Sequence, residues 1–156
     1  MGADRGVRDD GLVCEETIIL TRLDKDVPIG NIDVPNGSGL SGQTLVSVLD
    51  CRPVVTDGSL SLAISLYVQE ELFLTTPQGG SFPLEFGFRL RELAPLVDCG
   101  DLAPFADTIQ CRIISLAGSN QLTLHTDGTF DQSLEIRIQV RLVANYESTC
   151  GKVSRK

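Results

Sequence analysis

Residues 59–74 read Ser-Leu-Ser-Leu-Ala-Ile-Ser-Leu-Tyr-Val-Gln-Glu-Glu-Leu-Phe-Leu. Apolar side chains fall on the even positions Leu60, Leu62, Ile64, Leu66 and Val68, then Leu72 and Leu74. The odd positions Ser59, Ser61, Ala63, Ser65, Tyr67, Gln69 and Glu71 are small or mostly polar. Successive side chains of a β-strand point to opposite faces, so this is one strand, or two in line, with a dry face and a wet face. At about 3.3 Å per residue it would run about 50 Å, which predicts a bend or bulge near Gln69 to Glu71.

The same period recurs on either side. Leu134, Ile136, Ile138, Val140 and Leu142 alternate with Glu135, Arg137, Gln139 and Arg141. Phe82, Leu84, Phe86, Phe88 and Leu90 alternate with Pro83, Glu85, Gly87, Arg89 and Arg91. Shorter candidate strands are Glu16 to Arg22, Gln43 to Leu49, Thr108 to Leu116 and Gln121 to His125. Asp57-Gly58 and Asp127-Gly128 are hairpin signals, because both residue types tolerate the positive φ of tight turns. Gln78-Gly79-Gly80 and Gly118-Ser119-Asn120 read as further dividers, and Pro35 to Gly39 as a flexible loop. Arg91 to Leu96 suggests one helical turn stopped by Pro95.

The expected fold is therefore all-β: a single antiparallel β-sandwich of about eight strands, Greek-key or jelly-roll in type. Residues 1–11 are expected to form a flexible N-terminal arm, 12–147 the sandwich, and 148–156 a flexible basic tail.

Composition narrows the function classes. The chain has 156 residues, of which 42% are hydrophobic, enough for a real core and too many for wholesale disorder. Its net charge of −8 gives no basic face for nucleic acid. No run approaches the roughly 20 apolar residues of a membrane span. Met1 to Asp10 is polar and of mixed charge, so synthesis in the cytoplasm without a signal peptide is expected.

Catalytic chemistry has little to work with. His125 stands beside a hairpin turn, and no GxSxG elbow supplies a nucleophile. Gly37-Ser38-Gly39-Leu40-Ser41-Gly42 matches GxGxxG by letters, but the next residues alternate like a strand rather than opening a crossover helix. Asp24-x-Asp26 and Asp98-x-x-Asp101 do not continue into a calcium loop. No catalytic, cofactor-binding or metal residue is assigned, and the chain is expected not to be an enzyme.

Five cysteines remain: Cys14, Cys51, Cys99, Cys111 and Cys150. None forms a CxxC pair of the kind that holds zinc. Cys51 and Cys111 are expected in the core, since cysteine is among the most buried residue types. Cys14 and Cys150 lie near the chain ends and are candidates for disulfides between subunits. The β-prone segment Thr17-Ile18-Ile19-Leu20 is the candidate for pairing with a neighbour's sheet edge.

The stretch Val54 to Phe88, VVTDGSLSLAISLYVQEELFLTTPQGGSFPLEFGF, resembles the SPOCS-type β-domains of spore coat and spore morphogenesis proteins. Those run from a short strand through a tight turn into a long alternating strand ending near a Tyr, then a loop and a Phe-rich strand. The resemblance implies a structural coat or appendage subunit with no catalytic residues to carry over. The expected function is thus a non-enzymatic subunit that self-assembles into a filament, appendage or coat layer on a spore or cell surface. Its partners would be copies of itself and other coat or surface proteins. The alternative is a monomeric sandwich that recognises a protein or glycan.

Overall fold

The structure is a computed structural model that describes residues 12–30 and 34–144. Six long strands carry the fold: β1 Leu12–Pro28, β2 Gly39–Thr56, β3 Ser59–Thr75, β4 Ser81–Pro95, β5 Ile109–Leu124 and β6 Thr129–Ala144. A 3-10 segment, Gly100–Thr108, links β4 to β5. The strands form two three-stranded antiparallel sheets, ordered β1-β6-β5 and β2-β3-β4.

The alternation decides which strands sit in the middle. In β3 and β6 the inward residues, from Leu60 to Leu74 and from Phe130 to Leu142, are almost wholly buried. These two strands are the centres of their sheets, and their inner faces meet in one core. Asp57-Gly58 turns β2 into β3, with φ of 53° and 79°, which both suit a two-residue hairpin turn. Asp127-Gly128 lies in the turn from β5 to β6, with Gly128 at φ 86°. Gln78 and Gly79 lie in the turn between β3 and β4.

Several expectations need correction. There are six strands among the described residues, not about eight, because neighbouring candidates fuse. Gly118-Ser119-Asn120 does not divide two strands; β5 runs straight through it. A Cβ at Gly118 would lie 2.8 Å from Val46 Cγ2 and 3.1 Å from Thr44 Cγ2, so glycine is needed for close approach of β5 to β2. Strand β3 passes Gln69 to Glu71 without a break in register on either side, and the irregularity falls instead at Val48/Asp50 of β2. Arg91 to Pro95 remains extended. Gly39 to Gly42 already belong to β2 rather than to a loop.

The interior is divided by a polar level. The larger core cluster reaches Val68 on β3 and Leu134 on β6, and a smaller one holds Leu72 and Phe130. Glu70 and Gln132 stand between them, both almost completely buried. Thr44 of β2 and Asn120 of β5 occupy the same level: the Thr44 hydroxyl donates to Glu70 Oε1 at 2.5 Å, and Asn120 Nδ2 donates to Thr44 Oγ1 at 2.8 Å. One oxygen each of Glu70 and Gln132 has no partner among the described residues. The level joins the sheets through Asn120 of β5, whose Nδ2 also lies 3.4 Å from Glu70 Oε1.

Candidate functional site: the open flank

The two flanks between the sheets differ. On one, β2 and β5 lie side by side, joined by the Cys51–Cys111 disulfide and the Thr44–Asn120 hydrogen bond. On the other, β1 and β4 are the outer strands of their sheets, with no strand beyond either among the described residues. The Arg22 guanidinium crosses this flank to sit 4.3 Å from the centre of the Phe88 ring, a cation–π contact between β1 and β4. Arg22 Nε also bonds both carboxylate oxygens of Asp24 at 3.1 Å.

One end of the flank is sealed. The Glu16 carboxylate accepts three consecutive amides from the chain that leaves β4: Val97 at 2.6 Å, Asp98 at 2.9 Å and Cys99 at 3.0 Å. Charge-assisted bonds of this kind are short and strong. They bring Cys99 to a Cα–Cα distance of 6.1 Å from Cys14, and the two are disulfide-bonded.

That pairing corrects the expectation for Cys14, which is held within its own chain and is not available to link subunits. Cys51 and Cys111, expected in the core, pack half-buried against it and are bonded to each other. Cys150 lies outside the described residues. With the other four cysteines paired in two bonds, it is the one left without a cysteine partner in its own chain.

The segment expected to act as an assembly edge begins where the Glu16 clasp stops. Ile18 and Leu20 face the core, while Thr17 and Ile19 face out, Ile19 with 49% of its surface exposed. Leu23, further along the same outer face, is 61% exposed. Beyond it the flank opens into a cavity of about 240 Å³ lined by Val27, Pro28, Ile29, Leu84, Glu85, Phe86 and Phe130.

The far end of the molecule carries a titratable cluster that the spacing of the sequence hides. Asp131 Oδ1 accepts from His125 Nε2 and from the Asp26 amide, each at 2.9 Å. The hydrogen bond with Asp131 raises His125 above its ordinary value of 6.5. Asp131 is lowered from 3.8, first by the Asp26 amide and then by His125. Asp127 is lowered as well, by the Thr129 hydroxyl and amide. Donor atoms of Asp26, His125 and Asp131 lie within 4.8 Å of one another, close enough to reach one cation. Their visible role is to tie the end of β1 to the β5–β6 hairpin.

Of the surface arginines, Arg141 pairs with its cross-strand neighbour Glu15 at 2.7 Å, as simple sheet chemistry expects. Arg89 and Arg91 make no ion pair with another described residue. Among the described residues, no helix is long and apolar enough to cross a membrane. No family model, curated protein or solved structure matches the chain.

Proposed function

We propose that this chain is a non-enzymatic structural subunit that self-assembles into a filament, appendage or coat layer. We read its two sheets as a β-sandwich of Greek-key type, in which β5 returns to lie beside β2. The observation that carries the functional reading is the outer edge of β1 from Thr17 onward, which pairs with no described strand, with Ile19 and Leu23 exposed beside it. A strand of this length with an edge open from Thr17 onward is a ready template for a second chain. The cadence of Val54 to Phe88 supports a spore surface as the place of assembly. In this account the two internal disulfides stiffen each subunit, and Cys150 makes the covalent link between subunits.

The test is Ile19→Lys, which puts a charge beside the free edge without touching the core. Assembly should be lost while the monomer keeps its β circular dichroism. Unchanged assembly would remove β1 from the account.

A second reading is a monomer that binds a protein or glycan. It draws on an open groove of about 500 Å³ on the outer face of β2-β3-β4, lined by Asp50, Arg52, Ser65, Arg91 and Glu92. A monomer that retains a glycan or peptide only while Arg52 and Arg91 are intact would favour it.

A further inference from the structure

Strand β4 carries a charge and size pattern that reads the same in both directions. From residue 84 the sequence is Leu84-Glu85-Phe86-Gly87-Phe88-Arg89-Leu90. Turned half a circle about Gly87, it sets leucine on leucine and phenylalanine on phenylalanine. It also sets Glu85 on Arg89 and Arg89 on Glu85. Like residues repeat on the inner face and opposite charges on the outer face.

The structure places this pattern where it can be used. Among the described residues β4 pairs with β3 on one side only. Its inner-face residues Leu84, Phe86, Phe88 and Leu90 are half-buried, whereas their cross-strand neighbours Leu72, Val68 and Leu66 on β3 are wholly buried. Arg89 and Gly87 are exposed on the outer face, and Arg89 has no ion pair with a described residue. Glu85 and Leu84 also border the cavity that opens between β4 and β1. Gly87 itself is fixed by packing, because a side chain there would run into the Tyr67 hydroxyl.

We infer that β4 pairs antiparallel with β4 of a second copy of this chain, about a two-fold axis at Gly87. The two β2-β3-β4 sheets then join into one six-stranded sheet. Glu85 of each copy faces Arg89 of the other, at the separation where cross-strand charges attract. Phe86 and Leu84 meet Phe88 and Leu90 of the second copy and extend the dry face across the junction. The interface is isologous, so it closes on itself and makes a dimer rather than a chain. Pro83 has no amide to give, which limits the pairing to the stretch between Pro83 and Arg91. This rests on the self-assembly reading for the identity of the partner, but uses a different edge. β1 borders the same flank, so the paired copies carry their β1 edges side by side, and the dimer becomes the unit that Cys150 links.

The experiment reads the register directly. In a Cys150→Ser background, Glu85→Cys and Arg89→Cys chains are mixed and treated with a short thiol-reactive crosslinker. The mixture should give a covalent dimer that neither variant gives alone. Equal yields from the mixture and from either single variant would overturn the proposal. Charge reversal supplies a second reading. Glu85→Arg or Arg89→Glu alone should weaken dimerisation about tenfold, since each creates two like-charge contacts. The double variant Glu85→Arg/Arg89→Glu should restore it, and a double variant as weak as the singles would also overturn the proposal. Both readouts concern β4 alone, so their failure is distinct from loss of assembly in Ile19→Lys.

Discussion

The Cys99 amide donates to Glu16 Oε1 at 3.0 Å, while the Cys99 sulfur is bonded to Cys14, two residues before Glu16. One loop residue is thus held to β1 twice, once by charge and once covalently. The disulfide closes 85 residues of chain and the carboxylate orders the three amides around it. Together they fix where the sealed part of the flank ends and where the free edge begins.

Glu16→Ala should destabilise the chain by about 3 kcal/mol in urea unfolding, because three amides lose a charged acceptor in a largely buried setting. Glu16→Gln keeps one acceptor oxygen and should lose less. A cost below about 0.5 kcal/mol for Glu16→Ala would show that water replaces the carboxylate freely.

Glu70 should behave in the opposite way. Replacing a buried ionisable group by an apolar one of similar volume is often neutral or stabilising. Glu70→Leu is therefore expected to keep or raise the thermal midpoint, the Thr44 hydroxyl still bonding Asn120. Thr44→Val strips a donor from the carboxylate and should cost about 1–3 kcal/mol. If Glu70→Leu proves the worse of the two, the polar level is a source of stability.

Much of this architecture is legible in the residues and some is not. The alternation through Leu60–Leu74 and Leu134–Leu142 identifies the two central strands, because only a strand with neighbours on both sides buries every second residue. Asp57, Gly58 and Gly128 announce their hairpins through the positive φ they adopt. Gly118 misleads, since a glycine that ends a strand and one that admits a neighbouring backbone are spelled alike. Glu70 sits in the dry register of its strand, so its burial is written in the parity; its partners Thr44 and Asn120 are not, being brought together only by the stacking of the sheets. The same holds for Cys14 and Cys99, which are 85 residues apart. The matching halves of Leu84–Leu90 are visible in the sequence, but matter only because β4 is an edge.

Gly118→Val should lower stability by about 1–3 kcal/mol, since the added methyls meet Val46 and Thr44 of β2, which are too short to move aside. Calorimetry of this variant beside the exposed control Gly128→Ala is not a fair match, because Gly128 has φ 86°. Ala117→Val, on the outer face of the same strand, is the better control and should change little.

The hairpin cluster gives a pH dependence with a definite sign. His125 is raised above 6.5, so its contribution is complete below pH 6.5 and is lost as pH rises through the raised value. Asp131 and Asp127 are lowered from 3.8, so theirs is present above pH 3.8 and lost as pH falls through the lowered values. The thermal midpoint of the wild type should exceed that of His125→Ala most at about pH 5, and the gap should shrink as pH rises above 6.5 and through the raised value. A gap that is constant with pH would mean that His125 acts only through packing.

The central claim is self-assembly, and negative-stain electron microscopy with a sizing column tests it most directly, with and without reductant. The account predicts filaments or sheets at neutral pH, with a dimer as the smallest species and covalent ladders that reductant removes. A uniform monomer of 16.8 kDa under both conditions would contradict it.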